Sequence, residues 1–341
     1  RGGLWRLRDA VEYMLTADFA ILDLASSRPA HYLSKAYEMA RASIDAGRKG
    51  TPYAYVVPPE QWDFSSVLEM LRRLHAAGIQ VYRAKAEFQA QGKTYSAGTW
   101  VLPTAQPFRG YLMDLLEPQK YPDLRTGGSG AARRPYDIAG WTLSMQMGVA
   151  VDRIDAPFEA ALEPAAEIKP PAPQLDYRQN ASFLAVADAL ARGETVCRTA
   201  GGAFIAGESA GAAYRLRRPR VALYEPWTAN IDTGWTQWLL DTYRVPYTIV
   251  HNADIRKGGL RERFESLILA SQPADSILHG TRAGERTGRQ DSDKARQRPE
   301  FTGGIGVEGL RQLDVFVRQG GTLIAFNAAT ELPVRFFGLP V

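Results

Sequence analysis

Three groups of residues have types and spacing that could do chemistry. The first is Gly207-Glu208-Ser209-Ala210-Gly211, a G-x-S-x-G match. On a strand-to-helix elbow this pattern exposes a serine hydroxyl for nucleophilic attack. Ala203-Phe204-Ile205-Ala206 could supply the strand, and an acid and an imidazole follow in the required order, Asp254 or Asp275 and then His279. A serine esterase-type hydrolase would therefore use Ser209, Asp275 and His279. Against it, the following helix has room only from Ala210 to about Arg218 before Pro219 breaks it. No glycine-rich oxyanion motif precedes the serine, and a plain turn is the alternative reading.

The second group is the four histidines, His31, His75, His251 and His279. A hydrolytic zinc site of the carboxypeptidase type needs His and Glu three apart, a distant His, and an open position for water. None of the four has Glu at the third following position. His251 has Asp254 there, without a placed third ligand. The expectation is no metal site and no cofactor in this chain. The third group is ligand-binding rather than catalytic. Thr302-Gly303-Gly304-Ile305-Gly306 precedes a helix, where Gly303 and Gly304 could turn backbone N–H groups toward an anion or simply form a tight loop. Trp227, Trp235 and Trp238 cluster, the last two on one helical face. Exposed, Trp227 and Trp235 would suit a carbohydrate or peptide; buried, they would be core.

The elements that must position these residues follow from periodicity. Leu7 to Leu24 has apolar residues at helical spacing, and a second helix is expected from Pro29 to Ala46, stopped by Gly47. A strand at Tyr53–Val57, a helix from about Phe64 to Ala77, a strand at Ile79–Tyr82 and a hairpin over Lys93–Leu102 turning at Gly98 make a small α/β unit. From Asp155 to Gln174 the composition turns proline-rich, as in an extended linker. From Arg220 onward short apolar strands, Val221–Tyr224, Tyr247–Val250, Leu267–Leu269 and Thr322–Phe326, alternate with helices at Gly234–Tyr243 and Val307–Arg318. That alternation predicts a parallel sheet with helices on both faces. The boundaries expected are 1–50, 51–154, a linker at 155–177, a helix–strand unit at 178–218, and an α/β domain at 219–341.

With 341 residues, 45% of them hydrophobic and 23% charged, the chain has an ordinary globular balance and can build its core without staples. Its single cysteine, Cys197, excludes an intramolecular disulfide. A net charge of +4, from 41 basic and 37 acidic residues interspersed, gives no ground for a nucleic-acid partner. No apolar stretch of transmembrane length is present, so no membrane partner is expected. The chain opens on Arg1 and runs directly into a helix, as an excised piece of a longer polypeptide would.

Several stretches together resemble a known family. They are Gly3-Leu-Trp-Arg-Leu-Arg-Asp-Ala-Val-Glu-Tyr13, Pro52-Tyr-Ala-Tyr-Val-Val-Pro58, Phe108–Pro118, Pro135–Leu143 and Val221–Asn230. In this order they resemble the region downstream of the catalytic domain in large bacterial zinc carboxypeptidase-like proteins of the carboxypeptidase A type. The resemblance implies that the zinc, its ligands and the catalytic glutamate lie in an upstream domain, so no catalytic residue carries over. Residues 1–50 would be terminal helices of that peptidase domain, the first with an apolar face left bare by removal from its sheet. Leu267–Leu269, Thr302–Gly306 and Gly320–Phe326 also resemble a flavodoxin-like, class I glutamine amidotransferase-like fold. In active members a cysteine sits on the elbow after the last strand; here Asn327-Ala328-Ala329 stand there, which implies a degenerate domain. The implied role is non-catalytic: packing, oligomerisation or substrate positioning. The implied partners are the upstream peptidase domain, a peptide or cell-wall substrate and a second copy of the chain, in a periplasmic or secreted parent.

Overall fold

The structure is a computed structural model describing residues 3–120, 122–125, 130–133, 140–169, 175–208, 213–227, 229–280 and 301–339. The chain divides into two units, residues 1–172 with 178–180, and residues 173–177 with 181–341. It is of the α/β class.

The first unit opens with two long helices, α1 (Leu7–Ser27) and α2 (Pro29–Lys49). Pro29 starts α2 because its fixed φ suits the first turn and its missing N–H has no intrahelical partner there. Gly47 does not stop the helix as expected. It is buried inside the last turns, against the backbone of Thr104 and Ala105, where a Cβ would collide. The glycine thus serves close packing rather than termination. α1 buries none of its residues.

Five strands follow in an antiparallel sheet ordered β6-β1-β5-β2-β7, formed by β1 (Ala54–Val57), β2 (Tyr82–Ala84), β5 (Trp100–Pro103), β6 (Asp152–Ile154) and β7 (Leu162–Pro164). α3 (Phe64–Ala76) covers one face, its first turn capped by Asp63, which accepts from the N–H groups of Ser65 and Ser66. Two short helices complete the unit, α4 (Arg109–Leu116) and α5 (Leu143–Gln146). The expected hairpin about Gly98 is not formed. Lys93–Tyr95 (β4) pairs instead with Phe88–Ala90 (β3), while β5 joins β1 and β2. The reason is local: Gln91 and Gly92 both take positive φ, 47° and 76°, the geometry a two-residue hairpin turn demands. Part of the stretch read as a linker belongs to this unit. β7 pairs with β2, Phe158 stacks on Phe88, and Ile168 is buried in the core.

The second unit begins with α6 (Asn180–Ala191) and a three-stranded antiparallel sheet ordered β10-β8-β9, from β8 (Val196–Arg198), β9 (Phe204–Ala206) and β10 (Tyr214–Arg215). Its main body is a parallel sheet ordered β12-β11-β13-β14, formed by β11 (Val221–Tyr224), β12 (Tyr247–Val250), β13 (Ser266–Leu269) and β14 (Thr322–Ala325). Side chains alternate between two faces. Val221, Leu223 and Ile268 pack with Leu240 of α7 (Ile231–Thr242). Ala222, Tyr224, Leu267 and Leu269 pack on the opposite face against α8 (Asn252–Lys257), α9 (Leu260–Arg263), α10 (Ala274–His279), α11 (Gly306–Arg318) and α12 (Glu331–Phe336).

Candidate functional site

In open parallel sheets, ligands bind beyond the carboxyl ends of the strands, where successive connections leave in opposite directions. Here the chain passes from β11 outward to β12 and then back across to β13, so that point lies between β11 and β13. The residues just past the strand ends are Glu225 to Trp227, His251 and Asn252, Ala270 to Gln272, and Phe326 and Asn327.

Two sets of contacts organise this edge. In the first, Trp227 stacks on His251 with ring centroids 3.9 Å apart, and Phe301 leans on Trp227 at 4.7 Å. His251 Nδ1 lies 2.8 Å from the carbonyl oxygen of Glu225. A carbonyl can only accept, so Nδ1 carries the hydrogen. The backbone N–H of His251 donates to Asp254, which caps α8. Asp254 is therefore a capping carboxylate. The Tyr224 hydroxyl donates to Asn252 Oδ1 at 2.7 Å, and Asn252 Nδ2 donates to the carbonyl of Gly303 at 2.9 Å. Both side chains are buried, and burial holds the Tyr224 phenol well above its usual range.

In the second set, Asn230 Nδ2 donates to the Ser271 carbonyl and Asn327 Nδ2 to the Ser271 hydroxyl, each at 3.1 Å. Loops after β11, β13 and β14 thus converge on Ser271. Asn327 adopts a left-handed φ of 46° directly after β14, a conformation asparagine tolerates better than most residues.

Of the residues singled out by sequence, Ser209 lies outside the described residues. The strand before it, β9, belongs to the antiparallel sheet, and β10 already begins at Tyr214. Tyr214–Arg215 is thus a strand within the stretch where the serine-elbow reading expects a helix running to about Arg218. Asp275 and His279 share the short helix α10, and Asp275 accepts from Arg335 at 3.4 Å. Gly303 and Gly304 meet polar side chains through their carbonyls, Gly303 with Asn252 and Gly304 with Arg256 at 3.3 Å. Gly304 also lies so close to the backbone of Ile277 and Leu278 that a Cβ would overlap it. The loop is docked on α10. Trp235 and Trp238 are exposed on α7.

Among the described residues no group of three His, Cys, Asp or Glu side chains could hold a metal ion, and no helix is long and apolar enough to cross a membrane. A depression lies at the opposite end of the parallel sheet, lined by Arg218, Asp241, Arg244 and Tyr247. Arg244 there pairs with Asp188 at 2.8 Å. Asn230, Asn252 and Ser271 escaped sequence reasoning. The one signal for them is position, since each follows an apolar strand by a few residues. No family model matches the chain, and no similar curated protein or solved structure was found.

Proposed function

We propose that this chain is the non-catalytic C-terminal portion of a zinc metallocarboxypeptidase-like protein. Zinc and the peptide-hydrolysing residues would belong to an upstream domain, leaving this portion to packing, oligomerisation or substrate positioning. The observation that carries the reading is α1. Leu7, Val11, Met14, Leu15, Phe19 and Leu22 are all exposed, and no residue of the helix is buried. With Tyr13, Ile21 and Leu24 they spread over more than half of the helix circumference. Arg8 and Asp18 interrupt this arc, but so many large apolar side chains on one helix suit burial against a partner surface better than exposure. At about 1.5–3 kcal/mol for each large apolar side chain buried, docking α1 would gain on the order of 10 kcal/mol before its costs.

The finer reading of the second unit is a flavodoxin-like, class I amidotransferase-like sheet that has lost its nucleophile. In its support, Asn327 takes the left-handed elbow after β14 where the resemblance places a cysteine. An amide nitrogen has no basic lone pair and cannot replace a thiolate in acyl transfer. The test is turnover of chromogenic peptides by the purified chain supplied with zinc. The proposal expects none; chelator-sensitive hydrolysis would overturn it.

A further inference from the structure

α7 carries a second apolar surface, unrelated to α1. Ile231, Trp235, Trp238 and Leu239 recur at intervals of four, three and one, and so share one helical face. They are 79%, 63%, 56% and 49% exposed. The two indoles meet edge to face, with centroids 5.8 Å apart. Beside them Gly234 leaves open space, since a Cβ there would touch nothing within 4 Å. The stripe itself is uncharged, and Asp232 and Asp241 fall on its opposite flanks.

We propose that this face pairs with the same face of a second copy, the two α7 helices lying antiparallel about a two-fold axis between Trp235 and Trp238. Two features favour a second copy as the occupant. The first is area. Taking about 250 Å² for a fully exposed tryptophan and about 100 Å² for an aliphatic side chain, the stripe offers roughly 430 Å² per copy. Two copies bury about 850 Å² of apolar side chain before backbone and flanking atoms are counted, close to the ~1,000 Å² of a weak but specific interface. The second is register. In an antiparallel pair each flank meets the like flank of the other copy. Trp235 then lies against the other copy's Trp238, Asp232 beside Leu239, and Asp241 beside Gly234, so no two carboxylates meet. A two-fold interface requires this self-complementarity.

The inference concerns a different surface from the docking of α1 and stands or falls separately. Sedimentation equilibrium on the full chain tests it, with Trp235→Glu, Leu239→Lys and, as a control on α1, Phe19→Glu. The expected result is a reversible dimer with a dissociation constant in the micromolar range, weakened about tenfold or more by either α7 substitution. Phe19→Glu leaves the dimer constant unchanged, and circular dichroism shows all variants folded. A chain monomeric up to about 100 μM would overturn the proposal. So would association that Phe19→Glu abolishes and both α7 substitutions leave intact.

Discussion

Trp227 lies flat against His251, their ring planes 15° apart, and so ties the first loop of the parallel sheet to the end of its edge strand β12. With Phe301 leaning on it as well, the indole's contacts are to the protein's own rings. Its first role is to hold loops together.

Trp227→Ala is therefore expected to lower the stability of the second unit by about 1–2 kcal/mol, the loss of ring contacts at a partly exposed site. Trp235→Ala, on the outer face of α7, should stay within about 0.5 kcal/mol. Urea denaturation followed by circular dichroism at low protein concentration separates the two.

Asn252 should matter more than its chemistry suggests. Replacing it with alanine leaves the buried Tyr224 hydroxyl and the Gly303 carbonyl without their partner. The buried hydroxyl left unpaired costs about 1–3 kcal/mol, and the part-buried carbonyl adds less. The expected outcome is a clear fall in the denaturation midpoint, together with faster hydrogen exchange over residues 301–305. Asn252→Asp, which keeps the acceptor for Tyr224 but loses the donor to Gly303, should fall between the two.

The alkaline limit of the first unit is set partly by Tyr95. Burial, and then its hydrogen bond to Asp152 at 3.0 Å, push its phenol up from 10.0 to about 12. Between those values the folded chain keeps a proton that the unfolded chain has released. Stability from this group is complete below pH 10.0 and declines as pH rises through about 12. Tyr95→Phe should flatten that part of the stability profile, and the absorbance titration near 295 nm should lose a late-titrating phenol.

The parallel sheet was readable because its strands are apolar runs of four, such as Val221–Tyr224 and Tyr247–Val250, each followed by a helix or a polar loop. α1 and α11 were readable because their apolar spacing runs over several turns. α8, α9, α10 and α12 have four to six residues each, too few to show a helical period, and were missed. Gly47 reads as a helix stop and Gly98 as a hairpin turn; the turn at Gly98 forms, but the strands on its two sides pair elsewhere. Gly47 packs against Thr104, and Gly98, with φ of 90°, sits beside Arg83 just before β5. β7 was hidden because Leu162–Pro164 ends in proline, within a proline-rich stretch, and owes its strand character to pairing with β2. The same holds for the candidate site. Asn230, Ser271 and Asn327 are polar residues in three loops, and only the strand order brings them together.

The account rests most heavily on α1 as a core helix lacking its core. Hydrogen exchange over residues 7–27 tests this directly, in the chain alone and in the chain produced together with the polypeptide encoded immediately upstream. Exchange that is fast alone and slowed by about a hundredfold or more in the longer product, a gain of about 3 kcal/mol in local stability, is the predicted result. Equal exchange in both would contradict the account, because α1 would then be a surface helix with nothing to complete.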